Sequence, residues 1–291
     1  MNFVVDERLG VRNANVLRPW LGRCVFLVTF IFVSITAVFM WFENYLVYPG
    51  WGFPSGRWEP PTSKFDDVTF ESEDGTLLHG WFLDHSDANL YLMVCHGNGE
   101  TVGHMGPWLD ALQREFKIGV FAFDYRGFGR SEGRPNEAGV LADGRAAHRW
   151  LGQRIGKKTT DIVIFGRSLG GAVAVDCAAQ QGARGLILDR TFATLPEVAA
   201  EHYPWLPVRW LMRNRYKSIE KIACYNGPLL QCHGDLDEVV PFESGKRLYD
   251  AAASSQKEFV VMDGIGHNGA TNAEFHRSLS TFIAQLRMQT K

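Results

Sequence analysis

The chain has 291 residues, of which 46% are hydrophobic and 21% are charged, and its formal net charge is −2 at pH 7. This length and composition predict one medium-sized domain with ample core, and the near-neutral charge gives no sign of nucleic-acid binding. None of the five cysteines forms a C-x-x-C pair and no H-E-x-x-H spacing occurs, so neither a metal site nor a redox motif is predicted.

The N-terminal region is the exception to this pattern. Residues 24–42 carry no charge and are rich in Phe, Val and Ile. At about 1.5 Å rise per residue, a helix of this length nearly matches a hydrocarbon core of about 30 Å. We therefore predict a transmembrane anchor at 24–42, with a cleavable signal peptide as the alternative, although the stretch is long for one and no A-x-A site follows. Arginines precede the stretch at positions 8, 12, 18 and 23. By the positive-inside rule, we predict that segment 1–23 is cytoplasmic and that the domain after the anchor is extracytoplasmic.

An irregular connector is predicted for residues 43–64, which hold several glycines and prolines. Three aromatic residues predict that the connector packs on the domain: Trp51, Phe53 and Trp58. The domain itself is assigned to residues 65–291. It begins with two strands around an Asp74-Gly75 turn, which is a hairpin signal.

Predicted strands then alternate with predicted helices. The strands are 90–95, 118–123, 162–165 and 185–188, and the helices are 102–115, 136–155 and 168–180. This alternation predicts an α/β fold with a mostly parallel sheet and right-handed crossovers.

The loop after the strand at 90–95 reads His96-Gly97-Asn98-Gly99. Its glycines allow the backbone to turn N–H groups inward, as acyl transfer requires for binding an oxyanion. We assign one oxyanion donor to the amide of Asn98. His96 could be a second base, but we predict that it holds the loop through a side-chain hydrogen bond.

The sequence Gly166-Arg167-Ser168-Leu169-Gly170 lies between a predicted strand and a predicted helix, which is the context of a nucleophile elbow. Ser168 is then strained and lies at a helix N-terminus, where unpaired N–H groups favour developing negative charge. The amide of Leu169 is the other predicted oxyanion donor. A five-residue pattern also occurs by chance, so its weight depends on the flanking strand and helix.

Residues 190–222 interrupt the alternation and are predicted to form a short cap insert rich in apolar and aromatic residues. Two helices packed on the sheet edge would explain this composition. A lid of this character beside Ser168 would also favour an apolar acyl group.

Asp237 and His267 each follow a predicted strand, in the chain order serine, acid, histidine. The histidine must accept the serine proton and the carboxylate must orient the histidine. We assign Asp237 as the acid and His267 as the base. Asp235 is a close competitor for the acid and Asp189 a distant one, but turn chemistry explains Asp235 better.

These stretches resemble the α/β-hydrolase-fold serine hydrolases, and specifically the Bem46-like group related to the mammalian ABHD12, ABHD13 and ABHD17 proteins. The matching stretches are 74–81, 96–99, 124–133, 166–174, 237–241 and 266–267. The resemblance spans residues 45 to 290 and implies the triad Ser168, Asp237 and His267. The cysteine-rich N-terminus of the ABHD17 depalmitoylases is absent, which argues against that role.

The sequence therefore predicts a membrane-anchored serine hydrolase that cleaves carboxylic esters, lipid or acyl esters among them, through an acyl-enzyme and without a cofactor. Its expected partners are the ester substrate and the membrane; the oligomeric state is not predicted. A thioesterase or a serine peptidase would use the same triad. A non-catalytic binding protein of the same fold is the other alternative, and the complete set of motifs argues against it.

Overall fold

The computed structural model describes residues 14–50, 52, 59, 60, 62 and 64–288. The described residues form an eight-stranded sheet. Its strands are β1 (Phe65–Glu71), β2 (Leu77–Leu83), β3 (Tyr91–Cys95), β4 (Gly119–Phe123), β5 (Ile162–Arg167), β6 (Gly185–Asp189), β7 (Leu229–Gly234) and β8 (Lys257–Met262). Their spatial order is β1-β2-β4-β3-β5-β6-β7-β8. The β1–β2 hairpin and the β2–β4 pair are antiparallel and the other pairs are parallel, so the predicted mostly parallel sheet is confirmed.

The helices of the described residues are, in chain order, α1 (Ala14–Trp41), α2 (Glu43–Val47), α3 (Val102–Phe116), α4 (Glu137–Ile155), α5 (Leu169–Gln181), α6 (Leu195–His202), α7 (Val208–Leu211), α8 (Ser218–Ile222), α9 (Phe242–Ala251) and α10 (Ala273–Met288). Helices that follow β2 flank both faces of the sheet. Successive strand residues point to opposite faces, so each buried strand supplies two cores. In β3, Met93 joins the core under α4 and α5, whereas Leu92 joins the core under α3 and α10.

The N-terminal helix α1 contains a stretch, Trp20–Trp41, that is long and apolar enough to cross a membrane, judged by its length and composition. Its side chains are largely exposed, with Trp20 at 68% and Trp41 at 80%. This stretch overlaps the predicted anchor at 24–42. The arginines at positions 8 and 12 lie outside the described residues.

The predicted connector, residues 43–64, differs from the structure at its start. Here α2 is helical, and a compact unit that contains the sheet begins at Asn44. Tyr48 is 1% exposed, packs edge-on against Phe128, and shares a hydrogen bond of 2.8 Å with Asn214 Oδ1. Burial of this ring with its hydroxyl satisfied fixes the segment on the domain. The three aromatic residues predicted to pack there lie outside the described residues: Trp51, Phe53 and Trp58.

Arg126 joins the β1–β2 turn to α4. Its guanidinium donates to Asp143 Oδ1 at 2.8 Å and to Asp74 Oδ2 at 2.8 Å. Asp143 is fully buried, so its ion pair with Arg126 offsets the free-energy cost of burying an isolated carboxylate. The loop that contains Arg126, which follows the carboxyl end of β4, therefore has a structural role.

We expect His148 in α4 to make the stability of the domain depend on pH. The ring is fully buried, with Nδ1 3.0 Å from Gln181 Oε1 and Nε2 3.1 Å from the carbonyl oxygen of Thr159. Burial lowers the pKa of His148 to about 4, whereas an exposed histidine titrates near about 6.5. Between these values the unfolded chain binds the extra proton, so the free energy of unfolding should fall by about 3 kcal/mol as the pH drops through this window.

Denaturant unfolding on both sides of the window tests this expectation. The slope of unfolding free energy against pH should be smaller in His148→Gln than in the native chain, because glutamine does not titrate. Equal slopes in the two proteins would assign the acid sensitivity to other groups.

Candidate active site

Ser168 occupies a sharp turn between β5 and α5. Its backbone angles are φ 52° and ψ −119°, a conformation that L-residues rarely adopt and that the surrounding structure must hold in place. The N–H of Ser168 donates to the carbonyl oxygen of Asp189 at 2.9 Å. A Cβ on Gly170 would lie 2.1 Å from the carbonyl oxygen of Cys95, so only glycine fits at that position.

The structure brings Ser168, His267 and Asp237 together at the carboxyl edge of the sheet. His267 Nε2 lies 3.1 Å from Ser168 Oγ, and His267 Nδ1 lies 2.8 Å from Asp237 Oδ2. Because a carboxylate only accepts, Nδ1 carries the proton, and the bare Nε2 can accept the serine proton. The arrangement can therefore deprotonate the hydroxyl for nucleophilic attack.

Asp237 is held as a carboxylate by its surroundings. Burial by itself raises the pKa of Asp237, but hydrogen bonds from His233, from His267 and from the N–H of Val240 together keep this pKa well below its usual range. His233 Nε2 lies 3.3 Å from Asp237 Oδ2 and 2.9 Å from the carbonyl oxygen of Val240. His233 was not identified from the sequence, although it stands four positions before Asp237, near the end of β7.

The two competing carboxylates have other partners. Asp235 Oδ1 accepts the N–H of Gly264 at 2.6 Å, a contact between two loops and not the local turn contact expected from the sequence. Asp189 accepts two hydrogen bonds from Arg190, at 2.8 and 3.0 Å. The carboxylate in contact with His267 Nδ1 is that of Asp237.

Charged side chains hold the backbone on both sides of His267. Its N–H donates to Glu238 Oε2 at 3.3 Å, and its carbonyl oxygen accepts from Arg167 Nη2 at 3.2 Å. The buried Arg190 donates to two further carbonyl oxygens of the same loop, at 3.2 and 2.6 Å. Hydrogen bonds to charged groups are stronger than neutral ones, so these contacts restrict where the imidazole can lie.

Arg167→Met should lower kcat by about tenfold while the fold persists, because a small displacement of a catalytic group is costly and this guanidinium is partly exposed. Arg167→Lys should recover part of the loss, since an ammonium can still donate to the His267 carbonyl. Steady-state kinetics of both variants test this positioning role. An unchanged kcat in Arg167→Met would contradict it.

Asn98 and Leu169, whose amides are the two predicted oxyanion donors, line the same cavity as Ser168. Leu169 is the first residue of α5, where N–H groups have no partner within the helix. The amide of Gly97 is already engaged, because it donates to Glu100 Oε2 at 2.8 Å. The Asn98 side chain donates to the carbonyl oxygen of Val47, which fixes the loop against the end of α2.

His96 lies beside this loop but is fully buried. Its Nδ1 donates to the carbonyl oxygen of Gly97 at 2.8 Å, and its own carbonyl oxygen accepts from the Tyr125 hydroxyl at 2.9 Å. These contacts give His96 the structural role that the sequence predicted, rather than that of a second base.

The cavity at Ser168 and His267 has a volume of about 370 Å³, and much of its wall is apolar. The apolar lining residues are Val47, Pro49, Leu169, Phe192, Leu195, Val198, Val239 and Val240. A larger cavity of about 560 Å³ lies between α3 and α10 and includes neither Ser168 nor His267, so volume alone does not identify the site. Within the described part of the chain, no cluster of three or more His, Cys, Asp or Glu side chains could hold a metal ion.

The predicted cap insert, residues 190–222, contains the short helices α6, α7 and α8 rather than two helices. It contributes Phe192, Leu195 and Val198 to the cavity. The other large aromatic side chains of its first two helices and their loop are exposed instead: Tyr203, Trp205 and Trp210. The insert therefore contributes one aromatic and two aliphatic side chains to the cavity wall, and most of the aromatic residues expected in the lid lie outside this cavity.

Comparison with protein families matches residues 86–220 to the family model described as Serine aminopeptidase, S33. The chain is 39% identical to the uncharacterized protein Rv2307c of Mycobacterium tuberculosis, over 85% of this chain and 90% of that protein. It is 31% identical to the alpha/beta hydrolase domain-containing protein WAV2 of Arabidopsis thaliana, over 68% and 70% of the two chains.

A further relative and a solved structure also resemble this chain over most of its length. Protein bem46 of Schizosaccharomyces pombe is 27% identical, over 86% of this chain and 88% of that protein. Among solved structures, the esterase Pf2001 of Pyrococcus furiosus superposes with a TM-score of 0.68 at 19% identity, over 80% of this chain and 95% of that one. At that identity the likeness concerns the fold.

Proposed function

This chain belongs to the Bem46-like α/β hydrolases, and on that basis we propose that it is a serine hydrolase that cleaves carboxylic esters through an acyl-enzyme. One observation carries the proposal. Ser168 Oγ lies 3.1 Å from His267 Nε2, and His267 Nδ1 lies 2.8 Å from Asp237 Oδ2. Ser168, in its strained turn, and His267 both line the cavity of about 370 Å³.

In the proposed reaction, His267 accepts the hydroxyl proton while Ser168 Oγ attacks the ester carbonyl. The amides of Leu169 and Asn98 bind the oxyanion of the tetrahedral intermediate. When this intermediate collapses, His267 gives its proton to the departing alcohol, which leaves the acyl group on Ser168. His267 then deprotonates a water molecule that attacks the acyl-enzyme, and the carboxylic acid departs as Ser168 regains its proton.

The family model and the solved neighbour suggest different scissile bonds, a peptide bond and an ester bond, since one is described as an aminopeptidase and the other as an esterase. An aminopeptidase needs an anionic group for the ammonium of its substrate. The carboxylate in the cavity wall belongs to Glu100, which pairs with Arg167 at 2.5 Å and also accepts the Gly97 N–H. This pairing favours an ester over a free N-terminus as the substrate.

We extend the proposal to lipid or acyl esters and to a single-pass membrane protein with a cytoplasmic N-terminus. The apolar stretch ends at Trp41, and Val47, a residue of the cavity wall, follows six positions later. Six residues span at most about 20 Å even when fully extended. If the stretch spans a bilayer, the cavity is tethered close to the surface where single-chain esters partition. A C-terminal reporter that is active only in the cytoplasm would contradict this topology.

A series of p-nitrophenyl esters tests the substrate class. We expect kcat/KM to rise from acetate toward medium chain lengths, because each methylene buried against the aliphatic wall contributes about 0.8 kcal/mol. Aminoacyl-nitroanilides in the same assay provide the peptidase comparison. A rate that peaks at acetate would remove the acyl-ester proposal, and faster cleavage of the anilides would favour a peptidase.

A further inference from the structure

A short segment that follows the apolar stretch lies against the loop of residues 96–99, which we call the oxyanion loop. We call this segment, residues 44–50, the clamp segment; it belongs to the compact unit that contains the sheet. The carbonyl oxygen of Val47 accepts a hydrogen bond from the Asn98 side chain. A Cβ on Gly50 would lie 2.7 Å from the Asn98 carbonyl oxygen, so the backbone approaches the loop too closely for a side chain. The clamp segment therefore contacts Asn98 at two points.

Buried polar contacts with the cap insert hold the clamp segment in place. The Tyr48 hydroxyl lies 2.8 Å from Asn214 Oδ1 and 2.8 Å from the Tyr216 hydroxyl, and all three side chains are buried. Asn214 Nδ2 donates to Asn44 Oδ1 at 2.9 Å. The N–H of Tyr216 donates to Glu137 Oε1 at 2.9 Å, which ties this part of the insert to the start of α4. Because buried polar groups are costly to leave unpaired, these contacts favour one position of the clamp segment.

The clamp segment connects these buried contacts to the cavity. Val47 lines the cavity that holds Ser168. The carbonyl group of Val47 and the N–H of Tyr48 belong to one planar peptide unit, so the position of the buried Tyr48 ring restricts the oxygen to which the Asn98 side chain donates. Two hydrogen bonds joined through Tyr48 thus connect Asn214 to Asn98.

We propose that the clamp segment positions the oxyanion loop, so that Tyr48 and the side chain of Asn98 are positioning residues for ester cleavage. A donor amide stabilises an oxyanion only when it already points at the oxygen, and a small displacement of the donor lowers the rate. The segment that links the apolar stretch to the domain is then part of the active site as well. The catalytic consequence rests on the proposed function, whereas the hold on the loop does not.

A double-mutant cycle on p-nitrophenyl butyrate, in full-length protein, tests the catalytic consequence. Tyr48→Phe keeps the ring and removes the hydroxyl, and Asn98→Ala keeps the backbone amide and removes the side-chain donor. Each variant should lower kcat by about tenfold, because the donor amide is displaced and not lost. Tyr48→Phe, which changes no residue of the cavity wall, should leave KM within about twofold of the native value. The double variant should also lose about tenfold, because either change breaks the same connection.

Tyr225→Phe is the matched control. The Tyr225 ring is buried, its hydroxyl donates to the carbonyl oxygen of Pro228 at 3.1 Å, and the residue does not line the cavity at Ser168. The loss of this buried hydroxyl should leave kcat unchanged. Native kcat in Tyr48→Phe or in Asn98→Ala would overturn the proposal. Independent losses that multiply to about a hundredfold in the double variant would overturn it as well.

Amide hydrogen exchange tests the hold on the loop without any turnover. Exchange of the amides of residues 97–100, followed by mass spectrometry, should be about tenfold faster in Tyr48→Phe and in Asn98→Ala than in the native protein, because loss of the contact makes local opening easier. Tyr225→Phe should exchange at the native rate there. Unchanged exchange in Tyr48→Phe would overturn the proposal. If the native protein neither turns over p-nitrophenyl butyrate nor reacts with a fluorophosphonate, the proposed function fails, and the exchange difference still decides whether the clamp segment holds the loop.

Discussion

Ser168→Ala is expected to remove ester turnover by about 10⁶-fold and to abolish labelling by a fluorophosphonate probe, because the variant lacks the Oγ that attacks the carbonyl. The fold should persist. Alanine tolerates the positive φ of this turn about as well as serine does, and the N–H that donates to Asp189 is retained. Assay of kcat/KM with p-nitrophenyl esters measures the loss, and thermal unfolding checks the fold.

Ser280→Ala supplies a matched control. This serine lies on the exposed side of α10, where its hydroxyl donates to the His276 carbonyl oxygen, and neither residue lines the cavity at Ser168. The Ser280→Ala variant should react with the fluorophosphonate probe at the rate of the native protein. Turnover retained in Ser168→Ala, or no labelling of the folded native protein, would favour a non-catalytic binding protein.

Asp237→Asn should lower kcat by about 10⁴-fold, because a neutral amide stabilises the wrong tautomer of the histidine and cannot balance the imidazolium charge. Asp235→Asn should cost less than about tenfold, since the asparagine oxygen can still accept the Gly264 N–H. The two variants are matched in chemistry and lie two positions apart in one loop. Kinetics on the preferred ester, with circular dichroism for the fold, compare them.

The reverse order of effects would make Asp235 the acid and would require the loop to rearrange during the reaction. Comparable small losses in both variants would indicate that His267 is oriented mainly by its backbone contacts with Glu238 and Arg167. Either result would leave the nucleophile assignment at Ser168 intact.

Local patterns were enough to predict most of the fold. The strands and helices around the elbow differ from their predicted bounds by one or two residues, because runs of buried β-branched residues and small helical residues are local signals. The hairpin at Asp74-Gly75 was predicted for the same reason, and Gly75 has a φ of 83°. The connector was predicted less well, since the burial of Tyr48 depends on Asn214, which lies 166 positions away.

By itself, the sequence determined the fold class, the apolar N-terminal stretch and the candidate residues Ser168, Asp237 and His267, because a strained elbow and loops past strand ends leave local marks in composition and order. Only the tertiary structure decided between Asp237 and its competitors, since it shows which carboxylate contacts the imidazole. It also showed the support from His233, Arg167 and Arg190 and the outward position of the cap tryptophans. These features depend on side chains that meet across loops and strands far apart in the chain, and no local periodicity encodes such meetings.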